Sequence, residues 1–339
     1  MRTTYRKIAE EMGVSSATVS NVLNNRDGKV SVATRQRILD AVTRMGYLPV
    51  AAPQGQAQQV ATRIISVVFD ELDEVHDYVG TQAYLGLREG ARQHGYDLLT
   101  ILRESPEWAG EREEVRFMDR RSDGIVFVNP YRRKRVIEKL HENRIPIVCC
   151  YAHNLPEATL YAALNENRAM QLLVEHLYQL GHRKIGFLAG PSEQNAEVRS
   201  DAFIMACHDM KITVSSKTIF QGTDDRTWTP NLEAINQALK KSIQYHLTAM
   251  VCANDYLAIS TKKMATELNI AVPSKIAITG FDDTPAATRN GITTIHHPFR
   301  EIARSALHLL INQLHLLDTE QKPLLFEPSL VFRASTKCP

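Results

Sequence analysis

The sequence predicts a small all-helical head joined by a linker to a large α/β body of two doubly wound, parallel-sheet lobes. Three observations carry that expectation. In the first 46 residues, apolar positions recur at helical spacing in three short blocks. Residues 49–62, PVAAPQGQAQQVAT, hold two prolines, a glycine and four glutamines with no apolar period, which is the composition of a linker. From Arg63 onward, short apolar runs alternate with roughly 10–16-residue helical stretches, and halfway along the alternation restarts.

The first block has Tyr5, Ile8, Ala9 and Met12 on one face. Thr4 is placed to cap it, and Gly13 supplies the left-handed residue that ends it, with Val14 at the corner. Ser15 or Ser16 caps a second helix whose inner face is Val19, Val22 and Leu23. The outer face of that helix carries Ser16, Ala17, Ser20, Asn21 and Asn24, which are small, neutral and rich in hydrogen-bonding groups. A helix with such a face can enter a DNA major groove, where Asn pairs bidentately with adenine, Ser reads either base type and Ala touches a thymine methyl. By spacing alone an ordinary helical hairpin remains the lesser alternative. A third helix changes that balance: Ser31 caps Val32 to Met45, with Ile38, Leu39, Val42 and Met45 inward and Gly46 as terminator. The candidate DNA-contacting set is Thr4, Arg6, Ser15, Ser16, Ala17, Thr18, Ser20, Asn21, Asn24 and Arg35.

Charge points the same way. The net charge is only +2, yet residues 1–60 hold eight Lys and Arg against four Asp and Glu. The head is therefore +4, and subtracting this from the total leaves −2 for the rest. A basic head on a near-neutral body suits phosphate binding by the head alone. The chain's 339 residues fit two or three domains at about 100–200 residues each. There is no run of about 18 apolar residues and no apolar stretch near the N-terminus, so a cytoplasmic protein with no membrane partner is expected. The five cysteines form no C-x-x-C pair, and the adjacent Cys149 and Cys150 would face opposite sides of a strand. Reduced, buried thiols are expected, and neither a metal nor a cofactor.

In the body, the apolar runs RIISVVF, YDLLTIL, GIVFV and IPIVCCY read as strands. They are interleaved with helices over about Tyr78–His94, Glu111–Arg121 and Arg132–Asn143. The second unit runs from helix Glu166–Leu180 through KIGFLAG, helix Ala196–Met210, KTIFQG, helix Pro230–Lys241, AMVCAN and helix Asp255–Leu268 to IAITGFDD. Two such units imply a cleft between lobes. Ligands of open α/β sheets bind beyond the carboxyl ends of the strands. The sequence contains no G-x-G-x-x-G after a strand, no G-x-x-x-x-G-K-[ST] and no G-x-S-x-G, so enzyme readings do poorly. The adjacent His296 and His297 are poorly placed to share a metal.

The stretch IAEEMGVSSATVSNVLNN…VSVATRQRILDAVTRMGYLP resembles the N-terminal domain of the LacI/GalR family of bacterial transcription regulators. The likeness continues through LGHRKIGFLAGP, ANDYLAIS, VPSKIAITGFDDTP, ITTIHHP and PSLVFRAST, covering nearly the whole chain. It implies a core similar to periplasmic sugar-binding proteins, with three crossings between lobes. By that analogy the helix-turn-helix domain is 1–48, the hinge 49–62 and the core 63–339. Lobe one takes about 63–161 and 292–324, and lobe two takes about 162–289 and 325–335. The family's hinge usually becomes a helix on DNA, with a leucine wedged into the minor groove. This sequence departs from that pattern: Val50 stands for an asparagine, Gln56 for the leucine, and Pro53 and Gly55 weaken a helix, which weighs against intercalation.

The resemblance places Arg199, Asn254 and Asp282 in an effector site, where guanidinium, amide and carboxylate match the donors and acceptors of sugar diols. The duller reading makes Asp255 and Asp282 helix caps and Arg199 a surface residue. Asp70, in the acidic loop after the first strand, and Trp228, which can stack on a sugar face or anchor a loop, are weaker candidates. The implied protein is a homodimeric repressor of carbohydrate-utilisation genes that binds a palindromic double-stranded operator and answers to a sugar-like effector. Its competitor is a sugar-binding or enzymatic α/β protein with a vestigial head.

Overall fold

A computed structural model describes residues 5–23, 30–44, 61–69, 77–102, 117–118, 121–130, 133–191, 195–224, 228–315 and 321–336. Thr4, Asn24, Asp70, Cys338 and the hinge up to residue 60 lie outside these residues, as does most of the helix expected over Glu111–Arg121.

The head contains α1 (Tyr5–Met12), α2 (Ser16–Leu23) and α3 (Val32–Arg44). Gly13, at φ 64°, makes the left-handed exit from α1. Of the two serines that could cap α2, Ser15 does so: its Oγ accepts from the Thr18 N–H at 3.0 Å. Ser31 caps α3 by accepting from the Thr34 N–H at 3.1 Å. These caps satisfy amide donors that the first helical turn leaves without partners. Ile8, Ala9, Val19, Val22 and Ile38 form the core, with Met12, Val14 and Val30 packed against it.

Lobe one is a six-stranded parallel sheet ordered β2–β1–β3–β4–β5–β11, made of β1 (Ile64–Phe69), β2 (Asp97–Leu102), β3 (Gly124–Val128), β4 (Ile147–Cys150), β5 (Leu160–Leu164) and β11 (Leu324–Phe326). Its central strands β1, β3 and β4 are nearly continuous apolar runs, buried on both faces. Cys149 and Cys150 are buried in two different hydrophobic clusters, as the alternation of a strand requires. Ladder bonds carry this sheet past the expected crossings, to Leu164 rather than 161 and to Phe326 rather than 324.

Helices α4 (Asp77–His94) and α5 (Lys134–Glu142) belong to this lobe, as does α11 (Phe299–Leu314), a helix within the 292–324 stretch. Helix α11 buries Ile302, Ala303, Ala306, Leu307 and Leu310. It lies so close to α4 that a Cβ on Gly86 would meet the Arg300 carbonyl oxygen at 2.2 Å. Glycine there is a requirement of close backbone approach.

Lobe two holds α6 (Glu166–Gln179), α7 (Asn195–Asp209), α8 (Leu232–Gln244) and α9 (Asp255–Glu267). Its four-stranded parallel sheet is ordered β7–β6–β8–β9, from β6 (Ile185–Ala189), β7 (Ile219–Gln221), β8 (Ala249–Cys252) and β9 (Ala277–Thr279). After α10 (Pro285–Arg289), β10 (Thr294–His296) runs beside the end of β9 and pairs antiparallel with β12 (Ser329–Val331). The chain therefore passes between lobes after β5, between β10 and α11, and between β11 and β12. Among the described residues, no helix is long and apolar enough to cross a membrane.

Candidate functional site

The carboxyl ends of β6, β8 and β9 form one edge of lobe two, and the polar groups that follow them converge there. Arg199, from the first turns of α7, is buried. Its Nε and Nη2 donate to the two oxygens of Glu166 at 3.1 and 3.2 Å, and its Nη1 donates to the Ala253 carbonyl at 2.7 Å. Nη2 also lies 3.4 Å from Asp282 Oδ1, and the guanidinium stacks 3.7 Å from the Phe281 ring centroid. Such a cluster is tolerable in a buried place only because each charge has an opposite partner and hydrogen bonds. Burial opposes the charge on Arg199, but Glu166 and Asp282 hold its pKa above the ordinary value.

Asp282 is set by backbone as much as by charge. Its φ of 112° is a conformation that L-residues rarely adopt, and Asp283 follows at 56°. The Asp282 N–H donates to the Ile295 carbonyl at 3.0 Å, which ties the turn to β10. Burial raises the Asp282 pKa well above the carboxylate range, and Arg199 opposes this incompletely because its paired hydrogen bonds go to Glu166.

Asn254 caps α9, its Oδ1 accepting from the Leu257 N–H at 2.8 Å. The cap of this helix is thus Asn254 and not Asp255, as the duller reading has it. Asp255 is fully buried and accepts from Thr284 N and Oγ1 and from Thr294 Oγ1 at 2.7, 3.0 and 2.6 Å. Burial lifts its pKa to about 6. Trp228 packs against the end of β6, where a Cβ on Gly190 would meet its ring at 2.3 Å. The structure thus brings Arg199, Asn254, Asp282 and Trp228 to one edge. Arg199 is not the surface residue of the duller reading.

Sequence reasoning missed Glu166, Phe281, His153 and His297. Glu166 opens α6, where an acidic residue reads as a complement to the helix dipole. Its Arg199 partner becomes visible only in the tertiary structure. His153, after β4, faces this cluster from lobe one: burial lowers its pKa, while Glu166 raises and Arg199 lowers it.

On the head, Ser16 and Ala17 are exposed and Ser20 and Asn21 half-buried along α2, opposite buried Val19 and Val22. Arg35 is half-buried on α3, and Arg6 belongs to α1. Ser15 and Thr18 are engaged with each other, their hydroxyl oxygens 2.8 Å apart. The structure therefore gives these two a capping task beside any contact with DNA.

Residues 4–50 match the family model described as bacterial regulatory proteins, lacI family, and residues 174–336 match a periplasmic binding protein-like domain. The chain is 27% identical to the HTH-type transcriptional regulator MalR of Streptomyces coelicolor, over 99% of this chain and 97% of that protein. Among solved structures, the transcriptional regulator CelR–cellobiose complex has a TM-score of 0.72 at 23% identity, covering 98% of this chain and 100% of that one. The Lac repressor dimer bound to operator and the anti-inducer ONPF has a TM-score of 0.70 at 24% identity, with 100% of both chains covered.

Proposed function

The chain belongs to the LacI family of bacterial regulatory proteins and is a DNA-binding transcription regulator; from that premise we propose that it is a cytoplasmic, homodimeric repressor whose operator affinity is set by a sugar or sugar derivative in the cleft. The observation that carries this reading is the pairing, in one chain, of a reader helix with a buried Arg199–Glu166–Asp282 cluster beyond the strand ends of a two-lobed body. CelR is seen with cellobiose, and the Lac repressor as a dimer on its operator. Two heads related by a two-fold axis read two half-sites of a palindrome. In the cleft, Arg199, Asn254 and Asp282 take effector hydroxyls and Trp228 covers a ring face.

Effector binding shifts the balance between two lobe arrangements and so the placement of the heads. The coupling is reciprocal: DNA changes effector affinity by the factor by which effector changes DNA affinity.

The test is retention of random genomic fragments by the purified chain at about 150 mM salt, with and without a pool of neutral and phosphorylated sugars. A palindromic site enriched in one condition only is expected. No enrichment in either condition overturns the regulator reading and favours a two-lobed binding protein with an inert head. On the recovered site, Asn21→Ala is expected to cost about 1–3 kcal/mol and relax preference at one base position. Arg35→Ala is expected instead to weaken all sequences alike and reduce the salt slope by about one. Equal loss on specific and random DNA for Asn21→Ala removes its base-reading role.

A further inference from the structure

His297 lies in the crossing segment between β10 and α11, where the carboxyl edges of the two sheets meet. Tyr151, from the end of β4 in lobe one, sits edge-on at 5.6 Å, and Phe281, from the end of β9 in lobe two, at 6.4 Å. Phe299 stacks on its face at 3.8 Å and 9°. The Tyr151 hydroxyl donates to the Phe299 carbonyl at 2.5 Å, which fixes the cage from one side. The ring is thus held in one plane by neighbours from both lobes. It is only 5% exposed, and yet among the described residues its Nδ1 has no hydrogen-bond partner.

A caged imidazole with an orphan nitrogen is an exception that needs an explanation, because buried polar atoms are almost always paired. Three other buried side-chain atoms lack partners among the described residues, on Asn236, Thr279 and Gln313. His297 differs in standing between the lobes, within the field of Arg199 and His153. We propose that His297 is a specificity-determining effector contact, its Nδ1 hydrogen-bonding an uncharged polar group of a neutral, polyhydroxylated ligand. This rests on the effector reading given above.

The chemistry favours a neutral partner. Burial, followed by Arg199, pushes the His297 pKa well down, so the ring is neutral and can donate or accept. A phosphate placed here would find the nearby guanidinium already paired with Glu166. The lobe-two cluster grips hydroxyls in general. His297 adds a single directional bond from the crossing segment beside Phe281, and selectivity is strongest where a lost bond leaves a buried polar group unpaired.

The experiment titrates the full chain calorimetrically with glucose, arabinose, maltose, cellobiose and glucose 6-phosphate, and repeats the best binder with H297F and H297N. Phenylalanine keeps the stack without the nitrogen, and asparagine keeps a nitrogen near Nδ1. Wild type is expected to bind a neutral sugar, H297F to lose between about 5-fold and 100-fold, and H297N to recover part of that loss. Without sugar, H297F is expected to melt no lower than wild type, since it removes an orphan atom. Unchanged affinity in H297F overturns the proposal while leaving the effector reading intact. A sugar-free melting temperature well below wild type assigns Nδ1 to the fold and likewise overturns it. Preference for glucose 6-phosphate overturns the neutral class, and a wild-type chain that binds none of the five overturns the effector reading and this inference together.

Discussion

The head and the lobe-two cluster are built in opposite ways. The head's decisive contacts are local: Ser15 to Thr18, Ser31 to Thr34, and a small core in which α1, α2 and α3 each contribute an isoleucine or valine. Its reader face is only partly buried, Ser16 and Ala17 being exposed and Ser20 and Asn21 half-buried, so most of the residues there carry little of the head's packing. The cluster draws Glu166, Arg199, Ala253, Phe281 and Asp282 from the ends of four different elements and removes their charges from water. There, on the proposed reading, binding an effector and holding the lobe together fall to the same side chains. The sharpest way to break this comparison is Arg199→Met. It leaves Glu166 and Asp282 as buried carboxylates without a cation, and a loss of about 3–5 kcal/mol in core stability is expected. Urea unfolding followed by tryptophan fluorescence measures it, with sugar binding abolished in parallel. A midpoint equal to wild type would show that the cluster is dispensable to the fold and that the two regions are alike.

The next effect is a pH dependence confined to the body. Asp255 has a folded-state pKa of about 6 against an ordinary 3.8, the cause being burial. Between those values the folded chain holds a proton that the unfolded chain has released. Stability from this residue is therefore fully present below about pH 4, falls as pH rises to about 6, and is level above that. The expected drop is about 1–3 kcal/mol. Asp255→Asn should flatten it, since an amide oxygen can still accept from Thr284 while the amide nitrogen donates to Thr294 Oγ1. The difference between the two proteins in melting temperature across pH 4 to 7 isolates the residue from general acid unfolding. Parallel curves would place the titration elsewhere.

The same contrast explains what the sequence made legible. Helical spacing at Ile8, Ala9 and Met12, a glycine exit at Gly13 and a serine before α3 are short-range signals, and the structure has each in place. Buried strands such as GIVFV and AMVC announce themselves as continuous apolar runs. β5 and β11 did not, because both lie toward one edge of the sheet with partly exposed residues, and each takes its identity from the neighbour it pairs with. Helix α11 carries a regular apolar stripe, but it follows the crossing segment, where strand–helix alternation no longer predicts what comes next. In the cleft, resemblance led to Arg199, Asn254 and Asp282. Glu166 escaped because its partner is 33 positions away and only packing joins them. His297 escaped because an orphan nitrogen is a property of surroundings, not of spacing.

The smallest effect sharpens the comparison from the other side. Ser15→Ala removes the oxygen that accepts from Thr18 N–H and the hydroxyl partner of Thr18, and Ser31→Ala does the same at α3. Each should cost the head about 1 kcal/mol. A three-helix unit with so small a core has little stability in reserve, so that loss is a large share of the total. Amide hydrogen exchange resolves it: protection in residues 5–44 should fall about 5-fold while protection in β3, β6 and β8 stays at the wild-type level. DNA affinity should fall by a similar factor for random and specific sequences in Ser31→Ala, because a less populated head is lost to every site equally. In Ser15→Ala, any loss beyond that factor on the specific site measures direct contact by the serine, over and above the cap. If either substitution instead moves protection in the body's strands, head and body unfold as one unit. The local and long-range modes of construction would then share one stability.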